Sequence, residues 1–238
     1  MATAAVDPEP IVNYFVEAFA WIADPAHQVG PDGIWSRLAQ HLAYTSIATG
    51  AAAVIAIPLG YWIGHTGHGK GLIVGATGAA RALPTLGVLT LIALLAGVGV
   101  GAPLAALAVL ALPSVLAGAY SGLDAIPAPT IDAARAQGMS EWQLLTQVEI
   151  PLGLPQLIGG LRSATLQVVA TATLVAYVGG GGLGRYLFLG LKTQDYPQML
   201  AASFLAVGLA IASEICFSVL SWLVGRRRLL RVRVGGPR

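Results

Sequence analysis

Five apolar stretches, each long enough to cross a lipid bilayer as a helix, constrain this chain more than any other feature. They occupy residues 42–63, 71–97, 103–122, 154–178 and 198–224. Spanning the hydrocarbon takes roughly 20 predominantly apolar residues in a helix. The first stretch carries no charged residue. The second carries Arg81 and is interrupted by Pro84; the third contains Pro113, the fourth Arg162 and the fifth Glu214. Only 10% of the residues are charged, against roughly 25% in a soluble domain. A chain so poor in charge cannot clothe a water-exposed surface, and its mean hydropathy of +0.74 agrees. The runs are continuous rather than alternating, which favours helices over barrel strands of about ten residues. The expected fold is therefore all-α, a polytopic membrane bundle of about five transmembrane helices.

The remaining segments set the organisation. Residues 11–23 are apolar but too short to span, and read as an interfacial or packed amphipathic helix. Pro25, Gly30, Pro31 and Gly33 mark a loop after it. Residues 1–10 carry Asp7 and Glu9 and no Lys or Arg, so the positive region of a secretory signal is missing. The single cysteine, Cys216, lies in an apolar run and reads as a small buried hydrophobe. Net charge is +2, which argues against a nucleic-acid partner.

Charge placement predicts orientation. The tail after the fifth stretch, GRRRLLRVRVGGPR, belongs in the cytoplasm by the positive-inside rule. Counting back through five crossings puts the N-terminus outside. Lys70, Arg135, Arg162 and the tail arginines then lie inside, and only Arg37, Arg185 and Lys192 outside. The expected division is an N-terminal extracytoplasmic segment (1–36), a transmembrane domain (37–225) and a basic cytoplasmic tail (226–238).

The longest internal connection, 123–153, is polar yet patterned. Pro127 and Pro129 stop the third helix. Thr130 is placed to cap a new helix with Asp132 in its first turn. Ala133, Ala134 and Ala136 favour helix. Gly138 breaks it, Ser140 offers a second cap, and Trp142, Leu144 and Leu145 give an apolar face. Pro151 opens the next membrane segment. By composition alone this pair of short helices is either a cap on the bundle or a docking element for another protein, which the small Ala133–Ala134 face would let approach closely.

The residues here follow a longer pattern. Asp132-Ala133-Ala134, three residues, Gly138, nine residues, then Val148-Glu149-Ile150-Pro151 resembles the EAA loop of ATP-binding-cassette importer permeases. That pattern is E-A-A, three residues, G, nine residues, I-x-L-P. Asp132, Val148 and Ile150 depart from it conservatively. The runs 81–95, 132–165 and 174–191 are similar to the osmoprotectant branch of that family, and the resemblance covers roughly 38–224. It implies a type I, MetI-like permease whose loop 127–151 docks on an ATPase, with Asp132, Ala133, Ala134, Gly138, Trp142 and Pro151 as coupling residues. It implies a pair of ATPase subunits that bind ATP and Mg²⁺, a second permease subunit (identical or paralogous) and an extracytoplasmic substrate-binding protein. The chain itself would hold no cofactor and catalyse no reaction. The cargo would be a quaternary ammonium solute such as glycine betaine, choline or carnitine. A permease of another branch, carrying methionine or another small solute, is the alternative, followed by a secondary transporter. The compartment would be a bacterial plasma membrane.

Other features divide between structural and functional readings. Arg81 and Glu214 lie at membrane depth, where an ionisable group either pairs within the bundle or lines a pathway. Arg162, near an edge, is expected to snorkel. Gly179, Gly180, Gly181, Gly182 and Gly184 contain a G-x-G-x-x-G without a βαβ unit, and read as an outer hinge rather than a nucleotide site. The stretch 64–71 nearly matches a P-loop, but Gly71 replaces the Mg²⁺-ligating hydroxyl. His65 and His68 sit three apart with no acidic or cysteine partner near in sequence, a weak metal pattern. Gly60 and Gly64 form a G-x-x-x-G, a frequent chance match in a glycine-rich chain. No H-E-x-x-H occurs and no His lies beyond residue 68, which argues against an intramembrane protease.

Overall fold

The computed structural model describes residues 8–71, 73, 75, 77, 78, 84–97 and 99–234. Among them every regular element is helical. In chain order these are α1 (Pro8–Ala23), α2 (Pro25–Gln28), α3 (Ile34–Thr66), α4 (Thr85–Ala96), α5 (Gly101–Asp124), α6 (Ala128–Ala136), α7 (Glu141–Gln143), α8 (Ile150–Thr171), α9 (Gly184–Thr193) and α10 (Tyr196–Val234). A π-helical segment, Leu144–Glu149, joins α7 to α8, and a 3₁₀ segment, Ala172–Val178, extends α8.

Four of the described helical stretches are long and apolar enough to cross a membrane: Ile34–Thr66, Gly101–Asp124, Glu141–Val178 and Tyr196–Arg226. The second expected stretch, 71–97, contributes the 12-residue α4, only about 18 Å long at 1.5 Å per residue. It starts afresh because Pro84 caps it in extended conformation: proline lacks the N–H that a helix interior requires. Residues 79–83, Arg81 included, lie outside the described residues. The bundle of about five helices expected from the sequence agrees with this architecture.

Helix α5 is the axis, and close backbone approach holds it in place. On one side a Cβ at Gly60 of α3 would fall 2.6 Å from the Ala119 Cβ, and one at Gly64 would fall 2.8 Å from the Leu123 Cβ. The G-x-x-x-G read as a chance match is thus a packing seam, as small residues in membrane helices permit. On the other side a Cβ at Gly118 would fall 2.6 Å from the Gly160 Cα, and one at Gly122 would fall 2.5 Å from the Gly153 carbonyl. The same helix α3 buries Ala48, Ala52 and Ala56, continuing a small-residue stripe at four-residue spacing. Larger residues, Leu107, Val115, Leu157 and Val168, complete the core.

Helix α10 is packed differently at its two ends. Ala201, Ala202 and Leu209 are buried, and the rings of Tyr14, Phe15 and Phe19 on α1 meet Tyr196 and Phe204 at 5.0 to 5.8 Å. Its later half leaves Ile211, Ile215 and Val219 exposed. Cys216, expected to be buried, is also exposed there, because among the described residues no helix covers that face.

Candidate coupling loop and translocation cleft

The connection between α5 and α8 folds as a helical hairpin. Helix α6 starts at Ala128, capped by Pro127. Thr130 is therefore inside the helix rather than its cap, and Asp132 lies beyond the first turn. Proline at N1 or N2 explains the earlier start, since it presets φ and its missing N–H has no helical partner there. The helix ends in a Schellman motif: Gly138 N–H donates to the Arg135 carbonyl (2.9 Å) and Met139 N–H to the Ala134 carbonyl (3.3 Å). Gly138 sits at φ +83, a left-handed position that glycine adopts without a Cβ penalty. Ser140 then caps α7 as expected, and reciprocally with Gln143: Gln143 N–H donates to Ser140 Oγ (3.3 Å) and Ser140 N–H to Gln143 Oε1 (2.9 Å).

The turn joins the two arms with charge as well. The Arg135 guanidinium donates to both carboxylate oxygens of Glu141, at 2.9 and 3.1 Å. Asp132, Ala133, Gly138 and Pro151 are exposed, and Trp142 is 72% exposed. Ala134 is buried. Ala133 and Ala134 both line a shallow groove together with Met139 and Val148, Ala133 exposed and Ala134 buried.

Pro151 opens the membrane helix α8 as its second residue, as expected, but the helical run does not stop before it: the stretch is continuous from Glu141 to Val178. Proline at 151 cannot donate to residue 147 and its ring would crowd that carbonyl. The preceding turn widens into the π segment Leu144–Glu149, with Ile150 N–H donating to the Leu145 carbonyl. The widened turn carries Glu149, which is buried, toward α3. There His65 Nδ1 lies 2.6 Å from Glu149 Oε2, and His65 Nε2 lies 3.4 Å from Glu141 Oε2. Beside it Lys70 donates to Asp124 at 2.8 Å, and that bond holds the Lys70 ammonium above its ordinary pKa.

Above the hairpin, α5 and α8 wall a cleft of about 730 Å³. Its polar lining is Thr77, Ser114, Tyr120, Ser121, Gln156, Ser163 and Gln167, with no charged side chain among the described residues. Gln156, Gly160, Ser163 and Gln167 follow helical spacing and so share one face of α8. Ser114 Oγ and Gln167 Oε1 are 3.2 Å apart across the cleft.

At the opposite end of α3 the glycine run is packed. Gly180, Gly181, Gly182 and Gly184 are buried, and Gly179 is exposed. A Cβ at Gly184 would overlap the Thr173 carbonyl. Gly181 N–H donates to Tyr44 Oη (3.3 Å) and Gly182 N–H to Gln40 Oε1 (3.1 Å). His41, buried beneath them, accepts from Leu183 N–H at Nδ1 (3.4 Å) and donates from Nε2 to the Val169 carbonyl (2.9 Å).

Of the two membrane-depth charges singled out, Glu214 is paired within the bundle. Arg162 Nε donates to Glu214 Oε2 at 2.6 Å, and Arg162 Nη2 contacts Oε1. Arg162, for which snorkelling was expected, meets a carboxylate of α10. Sequence reasoning missed the His65–Glu149 contact, whose partners are 84 residues apart. It also missed the cleft, although the spacing of polar residues at 156, 163 and 167 marks one helix face.

Comparison with known proteins gives the arrangement its kinship. Residues 56–229 match the family described as binding-protein-dependent transport system inner membrane component. The chain is 29% identical over 183 residues to the glycine betaine/carnitine/choline transport system permease protein OpuCB of Bacillus subtilis, covering 77% of this chain and 84% of that protein. It is 32% identical over 199 residues to the osmoprotectant import permease protein OsmW of Salmonella typhimurium, covering 80% and 88%. Its fold is similar to a chain of the inward-facing MetNI methionine ABC transporter, with TM-score 0.68 and 23% identity over 81% of this chain and 94% of that one. With its several membrane-crossing helices, the chain belongs to the binding-protein-dependent inner membrane components, the multi-pass permeases of ATP-binding-cassette importers.

Proposed function

We propose that this permease moves a small quaternary ammonium osmoprotectant inward, driven by a separate ATPase pair docked on the hairpin 128–149. One observation carries the coupling: the hairpin links α5 directly to α8, and these two helices wall the cleft. Motion imposed on the hairpin therefore moves both walls. Asp132, Ala133 and Trp142 face outward on it, where a partner can reach them, and Gly138 sets its bend.

The cleft supports the cargo. Glycine betaine and carnitine carry a fixed positive charge and a carboxylate, so their net charge is zero. A lining of hydroxyls and amides solvates both ends, whereas a fixed charge would hold one end too tightly for release. The curated relatives, named for glycine betaine, carnitine and choline, support the same class.

In this reading the ATPase subunits hold ATP and Mg²⁺, a second permease completes the pathway and an extracytoplasmic binding protein delivers solute. The basic tail and the hairpin lie in the cytoplasm and the N-terminus outside, in keeping with the positive-inside rule. The glycine segment 179–184 is the outer hinge, and Arg81 an intramembrane polar residue of the pathway. The test is co-purification of the complex, followed by ATPase assay with binding protein and candidate solutes. Stimulation by a quaternary ammonium solute supports the reading. Stimulation by methionine alone would move the cargo to another branch, and a chain that captures no ATPase would refute the coupling role.

A further inference from the structure

The turn that connects α3 to the second expected span reads in sequence as a P-loop look-alike carrying a weak histidine pair, and the transport scheme leaves it unused. Yet His65, in the last turn of α3, reaches across to the coupling hairpin. Its Nδ1 lies 2.6 Å from Glu149 Oε2, its Nε2 lies 3.4 Å from Glu141 Oε2, and Glu141 is held in turn by Arg135. We propose that His65 is a positioning residue that latches the hairpin to α3, so that displacement of the docked hairpin carries α3 along with α5 and α8. This rests on the coupling role proposed above.

Three observations support it. Glu149 is 5% exposed, and a buried carboxylate without a partner is costly; among the described residues His65 is the hydrogen-bonding partner its side chain has. Second, Glu149 belongs to the π segment. Such widened turns concentrate at functional sites, and this one aims the carboxylate at α3. Third, the neighbouring seam transmits what the latch receives: Gly60 and Gly64, five residues and one residue before His65, lie against Ala119 and Leu123 of α5. A hairpin held only by its two chain ends would flex under load. Held also by His65, it moves with three helices.

The experiment uses the full chain in two settings. In the purified chain, hydrogen exchange is followed over residues 140–149 for wild type, His65→Ala, Glu149→Ala, the double variant and His68→Ala. His68 is exposed and three residues on, so it controls for loss of a nearby imidazole. Exchange over 140–149 should rise about fivefold or more in His65→Ala and stay at the wild-type level in His68→Ala. The double variant should match the singles, because partners in one contact are not additive. In the reconstituted importer, His65→Ala should retain bound ATPase and basal hydrolysis but transport several-fold less solute per ATP. Glu149→Gln, which still accepts from His65, should fall between. Unchanged exchange in His65→Ala, or a wild-type transport-to-ATP ratio, overturns the latch. A wild-type chain that binds no ATPase overturns the coupling role instead, and leaves the exchange result to judge the latch by itself.

Discussion

Arg162 of α8 grips Glu214 of α10, with Nε 2.6 Å from Oε2 and Nη2 in contact with Oε1. The pair sits where α10 leaves the bundle: beyond Leu209 its large apolar residues Ile211, Ile215 and Val219 are all more than half exposed. Little else ties this part of the helix to its neighbours. A guanidinium or carboxylate left alone at the centre of a membrane helix costs about 2.5–3.5 kcal/mol, and less toward its ends. Arg162→Ala and Glu214→Ala should each lower the thermal midpoint in detergent. The exchange Arg162→Glu/Glu214→Arg should recover more than half of the loss, and a swap no better than the singles would show that the charges act separately.

Gly118 and Gly160 bring α5 and α8 into backbone contact, and a Cβ at either would fall 2.6 to 2.7 Å from the other's Cα. Neither helix backbone can yield cheaply. Gly160→Ala should destabilise the bundle by about 1–3 kcal/mol, as overpacking does. Gly159 is its neighbour, with nothing within 4 Å of an added Cβ, and Gly159→Ala should be neutral or slightly stabilising. Chemical denaturation of both variants in detergent gives the comparison.

At Gly138 space is not the constraint, because nothing lies within 4 Å of an added Cβ; the constraint is φ +83. A left-handed conformation costs an ordinary residue about 1–2 kcal/mol and asparagine less. Gly138→Asn should support near-normal uptake, whereas Gly138→Val or Gly138→Trp should re-angle the hairpin and uncouple ATP hydrolysis from uptake without blocking membrane insertion. Uptake and hydrolysis measured on the same vesicles test this, and normal uptake by Gly138→Trp would sink it.

Trp142 is 72% exposed, so the free permease gains little from it. Buried against a partner, an aromatic side chain of this size is a frequent source of binding energy, about 2 kcal/mol or more. Trp142→Ala should leave the melting temperature of the isolated chain unchanged and weaken retention of the ATPase by at least tenfold, read by pull-down titration.

Gln167 and Ser114 meet across the cleft at 3.2 Å. Replacing Gln167 by Glu would place a fixed charge among neutral groups. For a zwitterionic solute we expect transport to slow several-fold while the hairpin still binds the ATPase. Gln167→Leu should raise the solute concentration needed for half-maximal uptake. Radiolabelled uptake across a concentration series separates these effects.

Much of this molecule could be read along the chain because its causes are local. Twenty-odd apolar residues in a row must cross or line a bilayer wherever they lie. Ser140 caps its helix through a residue three positions away. Gly138 ends a helix through its own dihedral angle. The Asp132–Pro151 pattern is a spacing along one segment. Even the cleft left a trace, in the polar residues repeated on one face of α8. The errors were local too. Pro127 and Pro129 out-competed Thr130 for the start of α6, and ahead of Pro151, which begins α8 as expected, the chain widens into a π segment rather than breaking.

What a linear reading left open depends on which distant residues come to share a few cubic ångströms. Hydropathy settled that the chain is a helical membrane bundle, because that property belongs to residues and to their near neighbours, and the expected docking role of the loop came from its resemblance to a known pattern. The pairing of Glu214 with Arg162, of Glu149 with His65, and the seam from Gly60 and Gly64 to Ala119 and Leu123 were decided by helix packing alone. A charge at membrane depth advertises that it needs a partner, but which partner it finds depends on the rotation and translation of one helix against another, and no sequence separation encodes that.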